Sequence, residues 1–383
     1  MNKNISIVNS CTGCQACVVV CPATCIKTYI NPKGFAYPSV DYDKCIQCGK
    51  CLNFCPEIVE KRKSKPLEVL GARVYNKDVL SQSTSGGIFT VLSDYVFENS
   101  GYVCGAIFDD SFNVVHVCTD DVKIRDKMRG AKYVQSDLNS IYYEIERALK
   151  NRRLVLFTGT PCQVAGIRNA MKAKHLDNDL LITVDLVCHG VPSPGVFHDS
   201  LKSIMKRYGE IENYRFRDKS KGWRGQNVTI STKSGVQIPE SKQSEFAKLY
   251  FESLITRPSC FQCRYKSISR ISDITIGDFW GIEIVNKKYD DNKGLSLVLI
   301  NTIRGQKLIE ELSGRIESFQ VLSELYQQEN LKGQIDQNVL SGFFWKKYVR
   351  NGYSVVPSIL RLNSAVKFCK KVIIKSKMLL RKE

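Results

Sequence analysis

What the 383-residue chain lacks narrows its class first. No stretch approaches the ~18 consecutive apolar residues of a membrane-spanning helix, so no transmembrane segment is expected. Met1 to Ser10 is polar and short, without the apolar core of a secretory leader, and a cytoplasmic setting is therefore expected. Acid is scarce at one end: residues 341–383 hold eleven Lys or Arg residues and one acid, although the whole chain carries +18. A basic tail more often means a solvated face, or contact with acidic lipid or an acidic partner, than a nucleic-acid site. Nucleic acid is accordingly not an expected partner. No repeat of solenoid period is present.

Cysteine is what the chain has in excess, with sixteen. In a reducing cytosol such residues serve as metal ligands or redox groups rather than as disulfides. Eight of them form two runs of identical spacing. Cys11, Cys14, Cys17 and Cys21 precede Pro22, and Cys45, Cys48, Cys51 and Cys55 precede Pro56. Both fit C-x2-C-x2-C-x3-C-P, the spacing of two-cluster 4Fe–4S ferredoxins, in which the fourth cysteine reaches the other cluster. The expected ligand sets are Cys11, Cys14, Cys17 and Cys55 for one cluster, and Cys45, Cys48, Cys51 and Cys21 for the second. Gly13 and Gly49 lie inside the loops, where backbone must pass close to sulfide. Zinc is the competing reading, since C-x2-C pairs also build tetrahedral sites. Cys25 falls outside the pattern and reads as a small buried hydrophobe.

Beyond a charged, proline-terminated run at residues 61–66, strand-like and helical patterns alternate. Strands are expected at 154–158, 180–187, 228–232, 274–277 and 295–300. Helices are expected at 89–97, 162–174 and 196–208. This order argues for an α/β layer with an at least partly parallel sheet, and a strand-rich α+β remainder from Ile211. Cys162 and Cys188 each follow a strand's C-terminal end, which in open α/β sheets faces the ligand crevice. With the Cys260/Cys263 pair they make four candidate ligands for a third cluster. A zinc knuckle or dithiol at Cys260 and Cys263, and a reactive thiol at Cys162, are the alternatives. Cys104, Cys118 and Cys369 read as isolated packing residues.

Small residues at Ser83-Thr84-Ser85-Gly86-Gly87 open a helix and could present N–H groups to a phosphate, although serine-rich caps are common. Lys132-Tyr133-Val134-Gln135-Ser136 offers a cation and a ring. Gly277-Asp278-Phe279-Trp280-Gly281 offers an acid and two aromatics, for stacking on a flat cofactor or for core packing.

Together with Gly159-Thr160-Pro161-Cys162-Gln163, Cys188-His189-Gly190-Val191-Pro192-Ser193-Pro194 and the Cys260/Cys263 pair, these segments resemble the coenzyme F-420 hydrogenase/dehydrogenase beta-subunit family of iron–sulfur flavoproteins. The resemblance spans roughly residues 69–300. It implies FAD near Ser85, Gly86, Gly87, Lys132, Tyr133 and Asp278, and a cluster at Cys162, Cys188, Cys260 and Cys263. His189 is the candidate catalytic proton donor; a structural histidine is the alternative. The expected architecture is a ferredoxin-like domain (1–62), a mixed α/β FAD and iron–sulfur domain (68–340) and a basic helical tail (341–383). The expected activity is FAD-dependent oxidoreduction of a small organic or sugar-linked substrate, with surface polysaccharide synthesis as one setting that the family suggests. The expected electron source is a redox partner protein or small donor. An electron-transfer subunit without its own substrate is the second reading. The tail, a basic amphipathic pattern over 360–382, is expected to dock on its own domain or to lie on the inner face of the membrane.

Overall fold

The computed structural model describes residues 4–59, 65–138, 140–176, 178–225, 227–322 and 328–379. Residues 61–64 of the expected linker lie outside the described residues. The N-terminal module is an antiparallel ribbon, β1 (Ile26–Ile30) and β2 (Ala36–Val40), flanked by two short helices, Ala16–Val20 and Lys50–Asn53. The remainder is a mixed α/β body. Its strands are β3 (Glu68–Val74), β4 (Tyr102–Phe108), β5 (Val114–Thr119), β6 (Val155–Gly159), β7 (Leu181–Leu186), β8 (Ile211–Asp218), β9 (Asn227–Thr232), β10 (Ile274–Asp278), β11 (Ser296–Ile300) and β12 (Ile316–Gln320).

Eight of these form one sheet in the order β12-β3-β11-β10-β7-β6-β4-β5. The four central strands, β10, β7, β6 and β4, run parallel; the outer pairings are antiparallel. β8 and β9 form a separate hairpin. Helices cover both faces of the large sheet, which is why central strands read as continuous apolar runs. Val155 and Phe157 of β6 pack with the helices Ile141–Lys150 and Pro161–Ala173, whereas Leu156 packs with the opposite layer that holds the helix Ile88–Glu98.

The ferredoxin-like module is built into this body. Gly34 approaches Gly195 so closely that a Cβ on Gly34 would sit 2.6 Å from the Gly195 Cα. Ser193 Oγ, which caps the helix Pro194–Tyr208, also donates to the Lys33 carbonyl at 2.6 Å. Tyr142 Oη donates to the Cys14 carbonyl, and Asn169 Nδ2 to the Phe54 carbonyl. Phe35 lies in the same apolar cluster as Phe197 and Phe246, edge-on to Trp345 at 6.1 Å.

The boundary expected at residue 341 is not a break in packing. Helix Ser341–Asn351 buries Phe344, Trp345 and Tyr348 in that same cluster, and Val356 and Ile359 at the start of helix Val356–Leu379 join them. An aromatic stripe at helical spacing overrides the basic character of this segment, because burying each large ring outweighs the solvation of a few neighbouring lysines. Farther on, Lys367 pairs with Glu252 at 2.5 Å and Phe368 is exposed. Among the described residues no helix is long and apolar enough to cross a membrane.

Because Phe35 joins module to body, Phe35→Ala should destabilise the protein by about 3–5 kcal/mol, read as a lower denaturant midpoint. It should also quicken proteolysis within the first sixty residues; an unchanged midpoint would contradict this packing role.

Candidate functional site

The two cysteine loops fold alike because both contain left-handed backbone at matching places. In the first run these are Gly13 (φ 74°) and Gln15 (φ 63°); in the second, Gln47 (φ 50°) and Gly49 (φ 71°). The duplicated halves thus use glycine at alternate members of an equivalent pair, with glutamine tolerating the less comfortable turn. The Gly13 N–H points to Cys11 Sγ at 3.4 Å.

Cys11, Cys14, Cys17 and Cys55 line one cavity, and Cys21, Cys45, Cys48 and Cys51 a second. Cys25 also lines the second, with its sulfur 3.4 Å from that of Cys21. Cys162, Cys188, Cys260 and Cys263, far apart in sequence, line a third. Thr160 and Pro161 start the helix that carries Cys162, with Gln163 Oε1 accepting from the Thr160 N–H at 2.9 Å. Cys188 follows β7, and Gly190 (φ 119°) turns its N–H to Cys188 Sγ at 3.3 Å. The Cys260/Cys263 pair sits on a short 3-10 turn, Pro258–Gln262.

These donor sets suit iron–sulfur cubes. Burial, reinforced by the neighbouring sulfurs, pushes the thiols of Cys14 and Cys260 up to about 12 and raises those of Cys17, Cys162 and Cys188; burial, with the Glu57 carboxylate nearby, raises that of Cys263. Thiols in this state become ligands when a metal displaces their protons. Lys266 and Arg270 line the third cavity and counter negative charge there. Among the described residues no group of three or more His, Cys, Asp or Glu side chains is arranged to hold a single ion. Four cysteines around one cavity match a 4Fe–4S cube, whose four irons alternate with four sulfides at the corners and take one thiolate each.

Beside the third cavity a cleft of about 300 Å³ opens at the C-terminal ends of the parallel strands. It shares Thr160, Gln163 and Val191 with the third cavity, which in turn shares Thr12 with the Cys11 cavity. Ser85, Gly87, Lys132, Tyr133 and Asp278 line the cleft. Lys132 Nζ donates to the carbonyls of Lys127 and Arg129, and burial brings the amine down to about 7. Asp278 is held by Arg217 Nη1 at 2.9 Å and by Trp223 Nε1 at 2.8 Å. The cleft continues into a polar groove of about 830 Å³ that carries Lys127, Arg129, Lys132, Arg217 and Lys219.

Four residues of the expected site are placed differently. Gly86 is not among the cleft-lining residues; its N–H goes to Ser296 Oγ, and a Cβ there would press on the Ala72 carbonyl and the Ser296 nitrogen. Its smallness serves the packing of β3 against β11. Phe279 is core, and Trp280 stacks on Trp223 at 4.9 Å, so these rings face protein instead of the cleft. His189 does not line the cleft either: its Nδ1 meets Asn330 Oδ1 at 3.1 Å and its ring abuts Tyr250.

The histidine that does line the cleft is His116. Its Nε2 lies 2.9 Å from the Thr158 carbonyl and so carries the proton, leaving a buried Nδ1 acceptor without a partner. Burial lowers its pKa to about 4. The signal in the sequence is a lone polar residue on the inward phase of the Val114–Thr119 alternation. Cys104 and Cys118, read as isolated, are direct cross-strand partners.

The fold and these cavities define an iron–sulfur protein of mixed α/β architecture. Residues 10–59 and 37–85 match models of the 4Fe–4S dicluster domain. Residues 152–321 match the model of the C-terminal region of the coenzyme F420 hydrogenase/dehydrogenase beta subunit. It is 26% identical over 210 residues to the uncharacterized protein MJ1349 of Methanocaldococcus jannaschii, covering 45% of this chain and 55% of that protein. It is 38% identical over 55 residues to NADH-quinone oxidoreductase subunit I of Pelobacter propionicus, covering 12% of this chain and 30% of that one. The chain thus spans about half, or less, of the length of these curated relatives. A chain from a solved structure of the F420-reducing [NiFe] hydrogenase complex of Methanosarcina barkeri aligns with a TM-score of 0.45 at 20% identity, covering 78% of this chain and 94% of that one.

The packing role of Gly86 predicts that Gly86→Ala lowers stability by about 1–3 kcal/mol. Gly314→Ala, where a Cβ meets open space, should stay within about 0.5 kcal/mol. Equal denaturation midpoints for the two variants would refute it.

Proposed function

We propose that the chain is an FAD-dependent iron–sulfur oxidoreductase that conducts electrons between its surface and an organic substrate in the cleft. The observation that carries this reading is the row of cavities with shared walls: the Cys11 set, the Cys162 set and then the cleft. The Cys45 set lies at the outer end, joined to the Cys11 set by helix Ala16–Val20, which carries Cys17 and is capped by Cys21, with Cys48 exposed and Ile46 near it 68% exposed. Cys11, Cys14, Cys17 and Cys55 would hold one 4Fe–4S cluster, Cys21, Cys45, Cys48 and Cys51 the second, and Cys162, Cys188, Cys260 and Cys263 the third. Clusters exchange single electrons, and a flavin converts these into the two-electron chemistry of organic substrates.

Around the flavin this chain's residues have separate tasks. The Ser83–Gly87 turn, at the start of helix Ile88–Glu98, and the cations of the polar groove suit the phosphates. The buried His116 Nδ1, without a partner in the protein, would accept a hydrogen bond from an N–H donor on a bound ring. Arg217 and Trp223 keep the Asp278 carboxylate engaged, so it shapes the wall. A second reading, an electron-transfer subunit that serves a partner enzyme, is favoured by the exposed apolar surface around Cys48, which would be the docking face in either case.

Iron, sulfide and flavin analysis of anaerobically purified protein tests this directly. About twelve irons, at four per cluster, and one FAD are expected; about eight irons without flavin would overturn it. Cys162→Ser should reduce the iron to about eight. Lys132 predicts a pH dependence: an anion favours the protonated amine, so FAD affinity of the flavin-stripped protein should be flat below the amine's pKa of about 7 and fall as pH rises above it. Lys132→Met should remove that decline.

A further inference from the structure

Arg257 is a fully buried guanidinium at 0% exposure. Its hydrogen-bond partners are all uncharged. Nε donates to the Cys11 carbonyl, Nη1 to Gln135 Oε1 and Nη2 to the Ala36 carbonyl, each at 2.9 Å. The rings of Tyr37 and Phe35 flank it at 4.3 and 5.4 Å from their centroids. Among the described residues no carboxylate reaches it. The other buried guanidiniums behave differently: Arg125 pairs with Asp94 and Asp126, Arg217 with Asp278, and Arg270 faces Asp185 at 3.6 Å. A buried ion without a counter-ion is among the least favourable things a fold can contain. Something anionic must therefore complete this site, and the nearest candidate is sulfur: Arg257 Nη2 is 3.9 Å from Cys11 Sγ. Three residues later the chain reaches Cys260 of the third set.

We propose that Arg257 is the built-in counter-charge of the centre at Cys11 and sets that centre's reduction potential relative to its neighbours. This rests on the cluster reading given above. A four-thiolate cluster is an anion and gains one further negative charge on taking up an electron; no bond forms or breaks. A fixed cation in a low-dielectric setting stabilises the more negative state and raises the potential. Gln135 acts as the orienting group: its Oε1 accepts from Arg257 while its Nε2 donates to the Thr12 carbonyl at 3.0 Å, so the guanidinium is aimed by the wall that the first and third cavities share. The Cys45 centre lies outside these contacts and serves as an internal control. Holding the middle centre at a higher potential than an uncompensated one makes it a ready acceptor between the surface and the Cys162 site.

The test is an EPR-monitored redox titration of the full chain, purified anaerobically, as wild type, Arg257→Lys and Arg257→Met, with iron measured on each. In Arg257→Met the Cys11 centre should become harder to reduce by at least tenfold, about 59 mV for one electron, while the Cys45 centre stays in place. Arg257→Lys, which keeps the charge and loses the fork of hydrogen bonds, should remain near wild type. If Arg257→Met sheds iron and Arg257→Lys retains it, the counter-charge role is equally supported. The proposal is overturned if both variants shift or shed iron alike, or if the Met variant titrates like wild type. Eight irons in the wild type with a shifted Cys11 centre would sink the third cluster and leave this inference standing; twelve irons with no shift would do the reverse.

Discussion

Because β4, β6, β7 and β10 run in one direction, their C-terminal ends, and the loops that leave them, share one side of the sheet. The third cysteine set and the cleft follow from that common direction. Cys162 enters the helix after β6, Cys188 leaves β7, and Asp278 ends β10. The helix caps then fine-tune the placement: Thr160 with Gln163 sets the start of the helix that bears Cys162, and Ser193 sets the next while holding the Lys33 carbonyl. Ser193 thus both ends a loop and docks the N-terminal module. The module is consequently part of the core instead of an appendage, with Phe35 and Cys14 packed among residues of the body.

Charge placement obeys a similar economy. Among the described residues the interior holds several guanidiniums, and all but one meet carboxylates. The exception stands between two sets of cysteines. A cation left unpaired by protein, 3.9 Å from the Cys11 sulfur, describes a place prepared for an anionic group. The cleft shows the same logic on a smaller scale, with a buried histidine nitrogen that lacks a partner and a lysine whose amine sits near neutrality.

Much was readable before folding. The two cysteine runs are rigid local devices, so their spacing carries their meaning. The strands at 154–158 and 274–277, and the helix from Cys162, are strongly patterned and occur within a residue or two of expectation. Other features were hidden for definite reasons. Gly86 in Ser83–Gly87 resembles a phosphate-turn glycine, yet its missing side chain makes room for β11, a strand more than two hundred residues away. Trp280 advertises a stacking surface that Trp223 already covers. His189 adjoins a cysteine of the third set but turns away from the cleft, whereas His116, unremarked in its strand, faces it. The basic segment from residue 341 hid an aromatic stripe that belongs to the core.

The sequence by itself determined the local chemistry: eight cysteines at ferredoxin spacing, the alternation of strand and helix, and the short motifs that cap helices at strand ends. These depend on contacts within a few residues, which spacing encodes. Tertiary structure alone decided which distant groups meet. It brought Cys260 and Cys263 to Cys162 and Cys188, set Arg257 against Cys11, and joined the cavities into a row, because the direction of each strand and the burial of each charge are properties of the whole packed chain.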